Sequence, residues 1–187
     1  MSPGPPSADE RALAESFSRT GDESAFRALY RAHAALLYRV AFRMVHDADR
    51  AADIVQDTWI RAVQALPAFR WQSSLATWLV GIAINRAREE IRRIGNAQSL
   101  TNGAPPPEDL PDPPARSSDP AQRLDLQRAV ARLPAGYREI FLLHDVEGFT
   151  HEEIGLALEI EPATSRSQLT RARASLRAWL DPRKDSI

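Results

Sequence analysis

The stretch Thr150-His-Glu-Glu-Ile-Gly-Leu-Ala-Leu-Glu-Ile-Glu-Pro-Ala-Thr-Ser-Arg-Ser-Gln-Leu-Thr-Arg-Ala-Arg173 decides how the C-terminal part of the chain folds. Thr150 and Glu153 fit a capping box, so a helix starts there. Ile154, Ala157 and Leu158 follow at helical spacing, with Gly155 small enough for a close helix crossing. A second helix starts near Pro162, a residue favoured at a first helical position. Its inner face is Leu169, Ala172 and Leu176, and its arginines lie outside. Two short helices joined by a tight turn form a helix-turn-helix, a unit whose second helix fits the DNA major groove. The candidate readers are Thr164, Ser165, Arg166, Ser167, Gln168, Arg171 and Arg173. Arginine suits guanine edges or phosphates, glutamine suits adenine, and serine or threonine contacts either.

Upstream of this unit, Leu124, Val130 and Leu133 precede a helix break at Pro134, and Tyr137, Ile140, Phe141 and Leu142 start a new helix. Residues 121–182 therefore read as one small helical domain, with a tail at 183–187. Before it, residues 95–120 hold seven prolines and no apolar periodicity. Such a stretch supports neither a strand ladder nor a long helix and reads as a flexible linker. Residues 22–94 read as a second helical domain, preceded by a partly helical tail at 1–21. Phe26, Leu29, Tyr30, Leu37, Ala41, Met44 and Val45 recur at helical spacing. A further helix is expected over about 48–65, ended by Pro67. Another starts at a Ser73 or Ser74 cap and runs to about Arg93. Strand patterns are absent, so the expected class is all-α, two small bundles joined by a Pro-rich linker.

Composition narrows the function. The net charge is −1, but it is unevenly placed: 22–94 carries +3, 95–120 carries −3, and 162–180 holds four arginines without an acid. Local, directional charge suits a sequence-specific binder better than a general nucleic-acid sponge. With no cysteines there are no disulfides or thiolate metal sites, which is compatible with a reducing cytoplasm. No apolar run approaches the ~20 residues of a membrane span, and no signal peptide is legible at the start. His33, His46, His144 and His151 show no ligand spacing, and His151-Glu-Glu lacks the second histidine of a zinc-protease helix. Without a phosphate loop or nucleophile elbow either, the expectation is a protein that is no enzyme and takes no metal, cofactor or small-molecule substrate.

Three further surfaces invite function. Asp53, Gln56, Asp57 and Ile60 share one helix face, either a solvated face or a docking site. The loop Phe69-Arg70-Trp71-Gln72-Ser73-Ser74, with Trp78 and Asn85, sets aromatics beside polar groups, which suits an unpaired base or plain core packing. Arg86, Arg88, Arg92 and Arg93 form a basic end diluted by Glu89 and Glu90.

These residues resemble a known family. Phe26-x-x-Leu-Tyr30, Asp53-Ile-Val-Gln-Asp-Thr-Trp59, Phe69-Arg70, Ser74-Leu-Ala-Thr-Trp-Leu79 and Ile82-Ala-Ile-Asn85 look like region two of bacterial RNA polymerase sigma factors. Leu133-Pro-Ala-Gly-Tyr-Arg-Glu139, Glu147-Gly148, Glu152-Glu-Ile154 and Ser167-x-Leu-x-Arg-Ala-Arg173 look like region four. Two such regions alone are similar to the extracytoplasmic-function (ECF) group. The resemblance implies a cytoplasmic sigma factor that binds core RNA polymerase through its beta and beta-prime subunits and starts transcription at specific promoters. It implies that Asp53, Gln56, Asp57 and Ile60 dock the polymerase clamp helices. Phe69, Arg70, Trp71, Gln72, Ser73 and Asn85 would capture the melted −10 element, with Arg88 and Arg92 on nearby backbone. Thr164, Arg166, Ser167, Gln168, Arg171 and Arg173 would read the −35 element, and an anti-sigma factor, often membrane-bound, would be the regulator.

Departures are expected to matter. Glu159 stands where the family usually has a turn glycine; a left-handed backbone there costs about 1 kcal/mol, which leaves a reshaped turn as the alternative. Ser165-Arg-Ser-Gln168 replaces a commoner Val-Lys-Ser-Arg, Trp71 replaces a small residue, and Leu156 is apolar at a usually polar site, as a partner contact would be. Two other readings compete: a sigma-like mimic that only sequesters an anti-sigma factor, and a stand-alone DNA-binding regulator.

Overall fold

The structure, a computed structural model, describes residues 7–100 and 120–180, in side-chain detail 7–95 and 125–180. Among the described residues eight α-helices form: α1 (Ala8–Thr20), α2 (Glu23–Val45), α3 (Ala48–Ala65), α4 (Leu75–Leu100), α5 (Pro120–Arg132), α6 (Ala135–Phe141), α7 (His151–Leu158) and α8 (Pro162–Leu180). Among the described residues there is no strand, as the sequence led one to expect. None of these helices is long and apolar enough to cross a membrane. The chain divides into two compact units, one holding α1 to α4, the other α5, α6, most of α7, and α8.

In the first unit α2, α3 and α4 pack on one another around Leu29, Leu37, Ala41, Leu75, Leu79 and Ile84, all fully enclosed. Short polar side chains set where each helix begins. Asp22 accepts from the backbone N–H of Ser24 and Ala25, Asp47 from that of Arg50, and Ser74 from that of Thr77. Each bond satisfies a donor that a helix start leaves without a partner. Ser74, not Ser73, is thus the cap of α4. That helix continues to Leu100, seven residues past the expected end. Gly95-Asn-Ala-Gln-Ser-Leu100 contains no proline, so a helix already nucleated upstream propagates through it. Of the expected linker, residues 101–119 lie outside the described residues, as do the side chain of Leu124 and the tail at 183–187.

The helix α1 packs on α2. Phe17 meets Phe26 at 5.1 Å between ring centroids, and Phe26 meets the buried Trp59 edge-on at 5.5 Å. His33 is buried beneath α1 with Nε2 3.0 Å from Glu10 Oε1. Burial pushes the His33 pKa below its ordinary value, and Glu10 opposes that shift.

The core of the second unit is Leu133, Ile140, Leu143, Phe149, Ile154, Leu169, Ala172 and Leu176. Arg138 donates to the carbonyls of Ala131 and Leu133, satisfying the last turn of α5 where Pro134 interrupts the chain. After α6 the backbone widens into a π-turn at Leu142–Val146, closed by Glu147 N–H to Leu142 O at 3.0 Å. Hydrophobic spacing does not announce such a turn, because one extra residue per turn changes no residue type.

Candidate nucleic-acid and polymerase interfaces

The helix-turn-helix is built as its residues suggest. Thr150 N–H donates to Glu153 Oε2 at 2.8 Å, and Glu153 N–H donates to Thr150 Oγ1 at 3.2 Å, a reciprocal capping box. Glu159 takes the left-handed backbone, φ 56°, so the turn keeps its shape despite lacking glycine. Gly155 lies where α8 begins close by, a Cβ there coming 3.4 Å from the Pro162 ring, and it has a second task. A Cβ there would lie 2.8 Å from Ile160 O, whose residue folds back to donate its N–H to Gly155 O at 3.0 Å. The glycine is needed by its own turn.

On α8 the buried line is Ser165, Leu169, Ala172 and Leu176. Ser165 therefore does not face DNA as expected; fully buried, it shares a 2.9 Å hydrogen bond with His151 Nδ1 and pins α8 to α7. Directly opposite lie Ser167, Thr170 and Ala174, all exposed. The outermost line is thus made of small residues, which lets the helix come close to a groove floor. Thr170, absent from the readers expected from sequence, joins this line by its spacing of three from Ser167. Thr164, Gln168 and Arg171 lie on one flank: Gln168 beside Gly136, and Arg171 3.5 Å from the Tyr137 hydroxyl. Arg166 and Arg173 lie on the other. Arg166 pairs with Glu152 at 3.3 Å, while Arg173 makes a two-pronged bond to Asp145, at 2.9 and 2.5 Å. Arg173 and the neighbouring His144 hold the Asp145 carboxyl below its ordinary pKa. The π-turn carries Asp145, so it bears on which arginines of α8 remain available.

In the first unit Asp53 and Gln56 are exposed, Asp57 is half-buried, and Ile60 is 51% exposed. Beside them an open groove of about 620 Å³ is lined by Phe26, Tyr30, Trp59, Ile60 and Gln56. An exposed isoleucine between carboxylates and an aromatic groove is unlike a plain solvated face. Asp57 is not alone there: Arg86 of α4 bonds both Asp57 and Glu89, and Glu89 lies 3.6 Å from Arg61. Burial opposes the Arg86 charge, but the two carboxylates outweigh it and raise its pKa above the ordinary value. Arg93 is likewise held by Glu90.

The loop from Phe69 to Ser74 is tightly organised. Phe69 stacks on Trp78 at 4.6 Å and touches Trp71 at 4.9 Å, and Arg11 lies over the Trp71 ring at 5.9 Å. Trp71 takes a left-handed backbone, φ 56°. Arg70 and Gln72 are exposed, while Ser73 is half-buried and donates to Ser74 O at 3.2 Å. Asn85 is exposed and accepts from Arg88 at 3.3 Å; Arg92 donates to Arg88 O. Eleven residues separate Ser74 from Asn85, which puts them on one side of α4 but about 16 Å apart. Asn85, Arg88 and Arg92 thus lie further along α4 than the loop that leads into it. Among the described residues no group of three His, Asp or Glu is placed to hold a metal ion.

Residues 29–96 match the family Sigma-70 region 2, and residues 123–176 match Sigma-70, region 4. The chain is 34% identical over 181 residues to the RNA polymerase sigma factor NccH of Alcaligenes xylosoxydans xylosoxydans, covering 94% of this chain and 96% of that one. It is also 34% identical over 174 residues to the ECF RNA polymerase sigma factor SigE of Mycolicibacterium smegmatis, covering 88% of this chain and 66% of that one. Among solved structures, the sigma factor RpoE in complex with the anti-sigma factor NepR from Bartonella quintana superposes with a TM-score of 0.71 at 26% identity, over 84% of this chain and 97% of that one. Paired regions two and four define a sigma-70-type promoter-recognition subunit. The chain belongs to the ECF group of the sigma-70 family, whose members direct transcription initiation by RNA polymerase.

Proposed function

We propose that this sigma factor divides its work between its two units. The α3 face of Asp53, Gln56, Asp57 and Ile60 docks core polymerase. The observation that carries this is the open groove lined by Phe26, Tyr30, Trp59 and the half-exposed Ile60 beside the carboxylates, because a contiguous apolar surface rimmed by polar groups marks a contact surface. The stripe from Phe69, Arg70, Trp71, Gln72 and Ser73 to Asn85, Arg88 and Arg92 holds the opened −10 strand. The helix rises about 16 Å from Ser74 to Asn85, enough for several nucleotides, and Phe69 stacked on Trp78, with Trp71 tilted against it, forms the other end. The α8 surface of Thr164, Arg166, Ser167, Gln168 and Arg171, with Thr170 added, reads the −35 element, while Arg173 supports it through Asp145. The working division is α1 to α4 and α5 to α8, joined through residues 101–119.

The RpoE neighbour is held by an anti-sigma factor, and a regulator of that kind is the expected partner here. Its membrane attachment would hold this otherwise cytoplasmic protein at the membrane. The chain acts by binding, not by catalysis. A mimic that only sequesters a regulator would have no use for the arginines and the exposed Ser167 and Thr170 that α8 carries, so the sigma reading is favoured.

Transcription in vitro from genomic fragments, using purified chain and core polymerase, tests the function. Promoter-specific transcripts that vanish when the chain is omitted are expected. A folded chain that fails to bind core polymerase at micromolar concentration would defeat the reading.

A further inference from the structure

We propose that Arg86 is a positioning residue that orients the Asp57 carboxylate for polymerase, and is not itself a contact to DNA. The proposal rests on reading the α3 face as the polymerase contact. Arg86 lies at the root of the basic end of α4, where its charge would suggest a phosphate contact. Its guanidinium points instead across to α3. Nη2 bonds Asp57 Oδ2 and Nη1 bonds Glu89 Oε2, and Nε is buried with no hydrogen-bond partner. The arginine side chain is 23% exposed, against 44% for Asp57. The cation is thus the enclosed member of the pair, neutralised by two acids, and the carboxylate is the member facing outward.

The bond to Arg86 uses Oδ2, so a carboxylate face stays open to an incoming donor. An exposed aspartate without a brace samples several rotamers and must be ordered when a partner arrives. A braced one is ordered beforehand. Arginine is the residue for this task, because its planar fork bonds two carboxylates at once, which a lysine ammonium holds less rigidly. Glu89, tied in turn to Arg61 on α3, keeps the fork from swinging away.

The test is a double-mutant cycle on the full chain, measured as affinity for core RNA polymerase at low salt, with circular dichroism confirming each variant's fold. Arg86→Met is expected to weaken binding about two- to tenfold, the value of ordering one side chain. In an Asp57→Asn background the same change is expected to have no further effect. Arg86→Lys should fall between wild type and Arg86→Met. Gln56→Ala with Ile60→Ala reports on the face itself. If that pair weakens binding while Arg86→Met binds like wild type, the positioning role fails and the docking face stands. An equal loss from Arg86→Met in both backgrounds, or a lysine variant at full affinity, also overturns it. If neither Asp57→Asn nor the Gln56/Ile60 pair alters affinity, the docking face fails and the proposal falls with it.

Discussion

The two units reach their working surfaces by different means. In the first, the α3 face and Asn85 ride on long, regular helices, with only the loop at 69–74 irregular, and packing of Trp59 with Phe26 and Tyr30 holds the α3 face in place. In the second, the reading helix depends on irregular backbone: the π-turn at 142–146, the left-handed Glu159 and the Cβ-free Gly155. A surface carried by regular helices fails when its core is hollowed, and one carried by turns fails when the turn is crowded.

That contrast can be broken most forcefully at Trp59. Trp59→Ala should destabilise the first unit by about 3–5 kcal/mol, the range for emptying a buried aromatic site. Hydrogen exchange on the full chain is expected to show protection lost in α2 and α3. Equal loss in α8 would show that the units do not respond separately. Gly155→Ala should be the counterpart in the second unit, costing about 1–3 kcal/mol because its Cβ meets a backbone oxygen that cannot rotate aside. Weaker promoter binding with α2 and α3 still protected is the expected pattern, and an unchanged melting temperature would contradict it.

Glu159→Gly should act in the opposite direction. Relief of the left-handed backbone is worth about 1 kcal/mol of added stability, readable as a raised urea midpoint. A lowered midpoint would mean that the Glu159 side chain contributes something the φ value does not reveal.

The smallest effect is expected with pH. Burial and the stacked His144, 4.5 Å away, hold the His151 pKa below its ordinary 6.5. Below that value the unfolded chain therefore binds more protons, and stability falls as pH drops through the histidine range, being fully present above it. His33 adds a change of the same sign in the first unit. His151→Gln should flatten the pH dependence of α8 protection and leave that of α2. A slope unaltered by the substitution would remove His151 from the account.

Much of the candidate site was legible without coordinates where one period governs. Asp53, Gln56, Asp57 and Ile60 share a face by helical spacing alone, and the Thr150–Glu153 box announces its helix. The assignment of Ser165 as a base contact failed because its hydroxyl looks polar in sequence, while position 165 falls on the line of Leu169, Ala172 and Leu176. Extending that line by one turn towards Pro162 would have found it. The end of α4 was placed too early because composition marks where helices are permitted, not where they stop.

The sequence by itself determined the all-α class, the starts of α2, α3, α4, α7 and α8 and the two regions that place the chain in its family, since apolar period, caps and motifs act over a few residues. Only the tertiary structure decided which charges are committed. Arg86 to Asp57, Arg173 to Asp145 and His151 to Ser165 join residues 29, 28 and 14 positions apart. Ion pairs and hydrogen bonds at such separations depend on how helices cross, and no local pattern encodes that.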